Sequence, residues 1–127
     1  MMRILAIDYG LRRIGLATTN GVLPYPWGVI VNNIKGIKTI NTLCKTHQIE
    51  KLVIGLPEGK LASKVKNFGQ SLSQKTSLPV EFQDETLTTQ ESIAKMVEAG
   101  KKRKVRKQKQ DAFAAALILQ KYLQKNV

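Results

Sequence analysis

Acidic residues are scarce in this chain: nine Asp and Glu stand against 21 Lys and Arg in 127 residues, a formal net charge of +12. An imbalance of this size implies a polyanionic partner, either nucleic acid or an anionic membrane face. Long apolar runs are missing as well. None approaches the roughly 20 residues needed to span a bilayer, and Met1-Met2-Arg3 leads straight into a strand pattern with no signal-peptide character. Cysteine occurs once, at Cys44, which excludes an internal disulfide and a cysteine-based zinc cluster. At helical spacing with Ile37 and Ile40, Cys44 reads as a small core residue. The one histidine, His47, falls at a predicted helix end and reads as a surface residue rather than a catalytic base. No repeat, linker or second domain interrupts the chain. What remains is the expectation of a single domain over residues 1–127, cytoplasmic, facing nucleic acid and no membrane. Its hydrophobic content of 43% is ordinary and sufficient for a core.

The chain is organised around Ile4-Leu5-Ala6-Ile7-Asp8-Tyr9-Gly10. Residues 4–7 form an apolar run of strand length without polar relief, the pattern of a strand buried on both faces. A second strand over residues 13–19 follows the short turn at Gly10–Arg12. Asn20-Gly21 is a hairpin signal, and Trp27-Gly28-Val29-Ile30-Val31 reads as a third strand, completing an antiparallel meander. The periodicity then changes. Ile34, Ile37, Ile40 and Cys44 predict a helix to about His47, weakened by Gly36. Residues 52–57 form a buried fourth strand closed by Pro57. Leu61, Val65, Phe68 and Leu72 mark an amphipathic helix with Lys64 and Lys66 turned outward. Val80-Glu81-Phe82-Gln83 is a fifth strand running into Asp84-Glu85. The Thr88-x-x-Glu91 capping box opens a helix bearing Ile93 and Val97 and closed by Gly100. Lys101–Lys109 carries seven cations in nine residues, which like-charge repulsion should leave poorly ordered until a counter-charge arrives. The last helix is expected from about Gln110 to Gln124, with Asp111, Ala115, Ile118 and Tyr122 on one stripe. The fold class is α/β: a five-stranded mixed sheet, three antiparallel strands plus two parallel ones, flanked by helices.

This arrangement puts acids at the ends of strands one and five and at the start of the last helix: Asp8, Asp84, Glu85 and Asp111. Carboxyl ends of parallel strands share one sheet edge, where ligands collect. Converging carboxylates repel unless a divalent metal neutralises them. Mg²⁺ suits oxygen ligands, and two such ions about 3.5–4 Å apart activate a water and stabilise a leaving oxygen in phosphodiester hydrolysis. The alternatives are plain ones. Asp8 could be bridged by a neighbouring arginine in a hairpin, Asp111 could complement a helix macrodipole, and Glu85 could be a solvated strand-end residue. Arg12 and Arg13 beside Asp8, with Lys101, Lys102, Arg103, Lys104, Arg106, Lys107 and Lys109, are the cations that would hold a phosphate backbone without reading its sequence. Trp27 and Tyr25, beside two prolines, could stack on bases, although packing accounts for them too.

Taken together, Asp8-Tyr9-Gly10-Leu11-Arg12-Arg13-Ile14-Gly15-Leu16-Ala17, Gly55-Leu56-Pro57, Asp84-Glu85-Thr86-Leu87-Thr88-Thr89 and Asp111 leading Ala114–Gln120 resemble the YqgF/RuvX family. The matches follow the family's order and span nearly the whole chain. The resemblance implies a ribonuclease H-like fold and a metal-dependent nuclease with Asp8, Glu85 and Asp111 as catalytic, metal-ligating acids, Asp84 as understudy to Glu85, and Mg²⁺ or Mn²⁺ as cofactor. It implies as substrate the ends of precursor 16S ribosomal RNA, within ribosome biogenesis and its assembly particles, and a monomer or weak homodimer. The chain departs from the family in Thr86, where an arginine is usual, in Asn20, where an aspartate is usual, and in a loop after Pro57 with only Gly59 nearby.

Two other functions fit the same residues. A four-way Holliday junction is an alternative substrate that favours a dimer cutting two strands symmetrically. A non-catalytic RNA-binding ribosome assembly factor is the alternative from a different class, with metal dispensable. The sugar-kinase/actin-like ATPases share the Asp-x-Gly opening but need a second domain, for which 127 residues leave no room.

Overall fold

The computed structural model describes residues 2–19, 24–84 and 103–125. Five strands and three helices follow one another: β1 (Ile4–Tyr9), β2 (Arg13–Thr19), β3 (Pro24–Val31), α1 (Gly36–Thr46), β4 (Lys51–Leu56), α2 (Leu61–Thr76), β5 (Val80–Asp84) and α3 (Arg103–Lys125). The strands form one sheet in the order β3-β2-β1-β4-β5. β1–β2 and β2–β3 are antiparallel, and β1–β4 and β4–β5 are parallel. The meander plus two crossover strands expected from the hydropathy pattern is therefore the fold.

Side-chain alternation sorts the sheet into two faces, each with its own core. Leu5, Ile7, Ile14, Leu16, Leu52 and Ile54 meet Ile40 and Cys44 of α1 and Val65 and Leu72 of α2. Ile4, Ala6, Ala17 and Val53 meet Ala115, Ile118, Leu119 and Tyr122 of α3. β1 is thus buried on both faces, which is why its apolar run has no alternation. Tyr9 belongs to the α1/α2 face, its ring 4.7 Å from that of Phe68. The pleat therefore turns its neighbour Asp8 to the α3 face.

Three expectations need correction. The first helix does not begin on Ile34: α1 starts at Gly36, and Ile34 is 98% exposed. Asn33 spends its carbonyl on the Gly36 N–H and its side-chain oxygen on the Lys35 N–H, making a turn that points Ile34 outward. The third strand is longer than its hydrophobic run, because β3 begins at Pro24. As an edge strand it tolerates Pro24 and Pro26, whose missing N–H groups break no central ladder. Finally, α3 begins at Arg103, so Arg103–Lys109 is helical rather than a loose connector and Asp111 is interior to the helix. Lys, Arg and Gln are good helix formers, and their propensity with the continuing apolar stripe outweighs the repulsion. The Asn20-Gly21 hairpin and the Thr88–Gly100 helix lie outside the described residues.

Candidate active site

The register across the sheet assembles one lateral row on the α3 face. Asp8 sits opposite Gly15 on β2. One step beyond the Ile7–Ile54 pair, Gly55 of β4 lies beside Asp8, and Gly55 in turn pairs with Gln83 of β5. Directly paired residues in either ladder project to the same side. The row therefore reads Gly15, Asp8, Gly55, Gln83, a carboxylate flanked on both sides by residues without side chains.

α3 is seated on that row. A Cβ at Gly15 would fall 1.9 Å from the Asp111 carbonyl oxygen and 2.8 Å from Asp111 Cβ. No side chain fits there; the helix backbone occupies the space. Because Gly15 is the register partner of Asp8, this contact brings Asp111 over the neighbouring strand position on the same face as Asp8. The four-residue and three-residue steps from Asp111 to Ala115, Ile118 and Tyr122 keep one side of α3 on the sheet, with Ala114 and Ala115 fully buried. Small residues along this stripe permit the close approach.

Asp111 is partly buried and charged. Arg13, on the same face of β2 as Gly15, places Nε 3.1 Å from Asp111 Oδ2. Burial raises the Asp111 carboxyl above its ordinary value, and the nearby Arg13 charge and hydrogen bond oppose that rise without cancelling it. An ion pair that leaves its acid raised is under-compensated, a condition associated with functional sites. An arginine of the hairpin thus bridges Asp111 across the face. The macrodipole account of Asp111 falls with its interior position.

Each remaining candidate has a definite place. Arg12 is exposed in the β1–β2 turn. Asp84 ends β5 exposed, and alternation from Val80 and Phe82, which pack with the α1/α2 core, puts it on the face opposite Asp8 and Asp111. Arg103, Lys104, Arg106, Lys107 and Lys109 lie in the first turns of α3. Glu85, Lys101 and Lys102 lie outside the described residues. His47 is edge-on to Trp27 at 4.4 Å and its carbonyl accepts a bond from Arg3 Nη1, a packing role for both rings. Tyr25 is exposed. Among the described residues no three His, Cys, Asp or Glu side chains gather.

Two contributors were not singled out by sequence reasoning. Gly15 seats the helix, and its only signal was a glycine inside a strand pattern, which marks close backbone approach. Gln83 ends the row, and its buried Oε1 finds no hydrogen-bond partner among the described residues. Together with Asp8 and Asp111 it makes an oxygen-rich donor set on one face of the sheet, a set suited to a hard divalent cation.

Comparison with known proteins bears on the family and the fold. A family model described as "RuvX: Holliday junction resolvase" matches residues 2–125. A protein of Protochlamydia amoebophila named "Putative pre-16S rRNA nuclease" is 38% identical, over 95% of this chain and 92% of its own length. One of the same name from Sulfurihydrogenibium sp. is 39% identical, over 97% and 90%. Among solved structures, Thermus thermophilus RuvC in complex with a Holliday junction substrate superposes with a TM-score of 0.63 at 16% identity, covering 100% of this chain and 98% of that one. The fowlpox virus Holliday junction resolvase gives 0.60 at 12% identity, covering 99% and 100%. These two likenesses concern the fold.

Proposed function

The chain belongs to the RuvX family, and on that premise we propose that it is a metal-dependent nuclease that hydrolyses phosphodiester bonds at the ends of precursor 16S rRNA, in the cytoplasm. The observation that carries this reading is the Gly15 seat, which puts Asp111 on the face and beside the row of Asp8. Asp8 and Asp111, with Glu85 as the third acid, would hold Mg²⁺ or Mn²⁺. A divalent ion there would activate water and stabilise the leaving oxygen of the cut strand.

The chain's own groups have separable tasks. Arg13 fixes the Asp111 carboxylate and holds its negative charge in a partly buried place. Gly15 lets α3 approach the sheet closely enough to bring Asp111 beside Asp8, and Gly55 puts no side chain on the other flank of Asp8. Arg12 and the cations of the first turns of α3 supply backbone contacts, giving affinity that falls steeply with salt. The relatives' names support RNA as the substrate, and the net charge supports a polyanion.

The second reading, a Holliday junction resolvase, is favoured by the description of the family model. The deciding test compares wild type with Asp8→Asn, with Mg²⁺, Mn²⁺ or EDTA, on precursor 16S RNA ends and on a synthetic four-way junction. Metal-dependent cutting of the RNA, lost in the variant, is the expected result. Cutting of the junction alone would favour the resolvase. Cutting of neither, with equal binding by both proteins, would make this a binding factor and sink the catalytic reading.

A further inference from the structure

Beside the acid row lies a feature that the cleavage chemistry does not use. Leu11 is 61% exposed, Val31 64% and Ile34 98%. Leu11 crowns the β1–β2 turn, Val31 ends β3, and Ile34 stands on the loop that follows. The two loops are one rigid unit: the Asn32 N–H donates to the Arg12 carbonyl at 2.9 Å, and Asn32 Nδ2 donates to the Gly10 carbonyl at 2.7 Å. Val31 is also the register partner of Arg13, so it shares a face with the guanidinium that grips Asp111. Val31 therefore stands on the face of the candidate site, and the hydrogen bonds through Asn32 tie the loop carrying Leu11 to the one carrying Ile34.

We infer that Leu11, Val31 and Ile34 form an apolar wedge that stacks against, and displaces, a base beside the scissile phosphate. This inference rests on the nuclease reading above and adds to it how the strand is presented. Exposed apolar clusters rimmed by polar groups mark interaction sites, and this rim is cationic, with Arg12, Arg13 and Lys35 alongside. Aliphatic side chains flanked by cations are a means of prising bases apart, the cations holding the backbone while the apolar tip replaces the lost stacking. Charge selects the occupant. A second copy of the chain would bring another +12 onto this positive rim, whereas a nucleic acid brings phosphates to the cations and flat bases to the apolar tips. Opening the stack would expose the phosphodiester over the glycine-flanked Asp8.

The test uses a precursor 16S RNA end and a four-way junction, each carrying 2-aminopurine beside the cut site. Binding of wild type with Ca²⁺, which restrains cutting, should raise 2-aminopurine fluorescence. Leu11→Ser/Ile34→Ser should lose most of that rise even at saturating protein, with cleavage down about tenfold, the worth of one lost base stack. Ile34→Trp, with a larger flat surface at the same exposed place, should keep the rise. An equal rise with the double variant would overturn the wedge. So would a wild-type dimer that the double variant converts to monomer in sedimentation, which would make the patch an interface between copies. Wild type that neither binds nor cuts either probe would instead overturn the nuclease reading, and the wedge with it. Wild type that binds and cuts without any fluorescence rise would overturn the wedge alone.

Discussion

α3 is fastened to the sheet by two charged contacts, one through Asp111 in its first half and one through Tyr122 near its C-terminus, and the two contacts treat their acids in opposite ways. Towards its C-terminal end, Lys51 Nζ donates to Glu81 Oε1 at 2.7 Å and to the Tyr122 hydroxyl, and it lies 5.0 Å from the Tyr122 ring centre. Hydrogen bonding with Lys51, then with Tyr122, lowers the Glu81 carboxyl, and hydrogen bonding with Glu81, then with Tyr122, raises Lys51. Both groups are made more comfortable in their charged forms. At the other contact, burial raises Asp111 in spite of Arg13. The first contact is what a stabilising surface pair looks like. The second keeps a carboxylate in a place that disfavours its charge, a condition that clusters at functional sites.

The comparison can be broken most severely at Gly15. Gly15→Ala forces a methyl group into the Asp111 backbone, so it should lose about 3 kcal/mol of stability by urea unfolding, along with the activity. Gly28→Ala is the control, since nothing lies within 4 Å of its added carbon; it should stay within about 0.5 kcal/mol. If both glycines tolerate alanine equally, the seat is wrong.

Next in size is a split between activity and stability. Asp111→Asn should cost at least about 100-fold in cleavage, as loss of a metal-ligand site does, and yet raise the melting temperature by about 3 °C as an under-compensated buried charge disappears. Calorimetry showing a lower melting temperature would mean that Arg13 fully compensates the acid.

The pH dependence separates the contacts by sign. Asp111 has a raised folded value, so its contribution to stability is full in acid and is lost as pH rises through that value, above the ordinary 3.8. Glu81 has a lowered value, so its contribution is present above the ordinary 4.5 and is lost as pH falls through the folded value. Stability measured against pH should lose its acid-side loss in Glu81→Gln and its opposing rise in Asp111→Asn. Parallel curves for the two variants would remove the distinction.

The smallest effect is expected at the other fastening. Tyr122→Phe leaves the half-exposed Lys51–Glu81 pair in place and should cost no more than about 1 kcal/mol, with cleavage unaltered. A large fall in cleavage would mean that both ends of α3 serve the site.

Much of this could be read from residues alone, for reasons that differ by element. The meander and the two added parallel strands are legible in the change of period between residues 31 and 34 and in the uninterrupted apolar runs at 4–7 and 52–56, which two-sided burial explains. Cys44 fell in the core as its spacing implied, and burial pushes its thiol up to about 11. The pairing of Asp8 with Asp111 was approached through strand ends. Its cause, Gly15, was hidden because close approach between a helix and a strand has no local pattern. The face of Asp84 needed the register, since one residue along a strand reverses the side. The start of α3 is not legible locally, because repulsion along Arg103–Lys109 opposes a helix that the apolar stripe downstream favours.

One consequence of that long helix remains. Asp111 is the ninth residue of α3, so about 12 Å of helix separates it from the first turn. Asp111 therefore sits about two turns inside α3, where backbone hydrogen bonds to the turns on either side fix the direction from which its carboxylate leaves the helix.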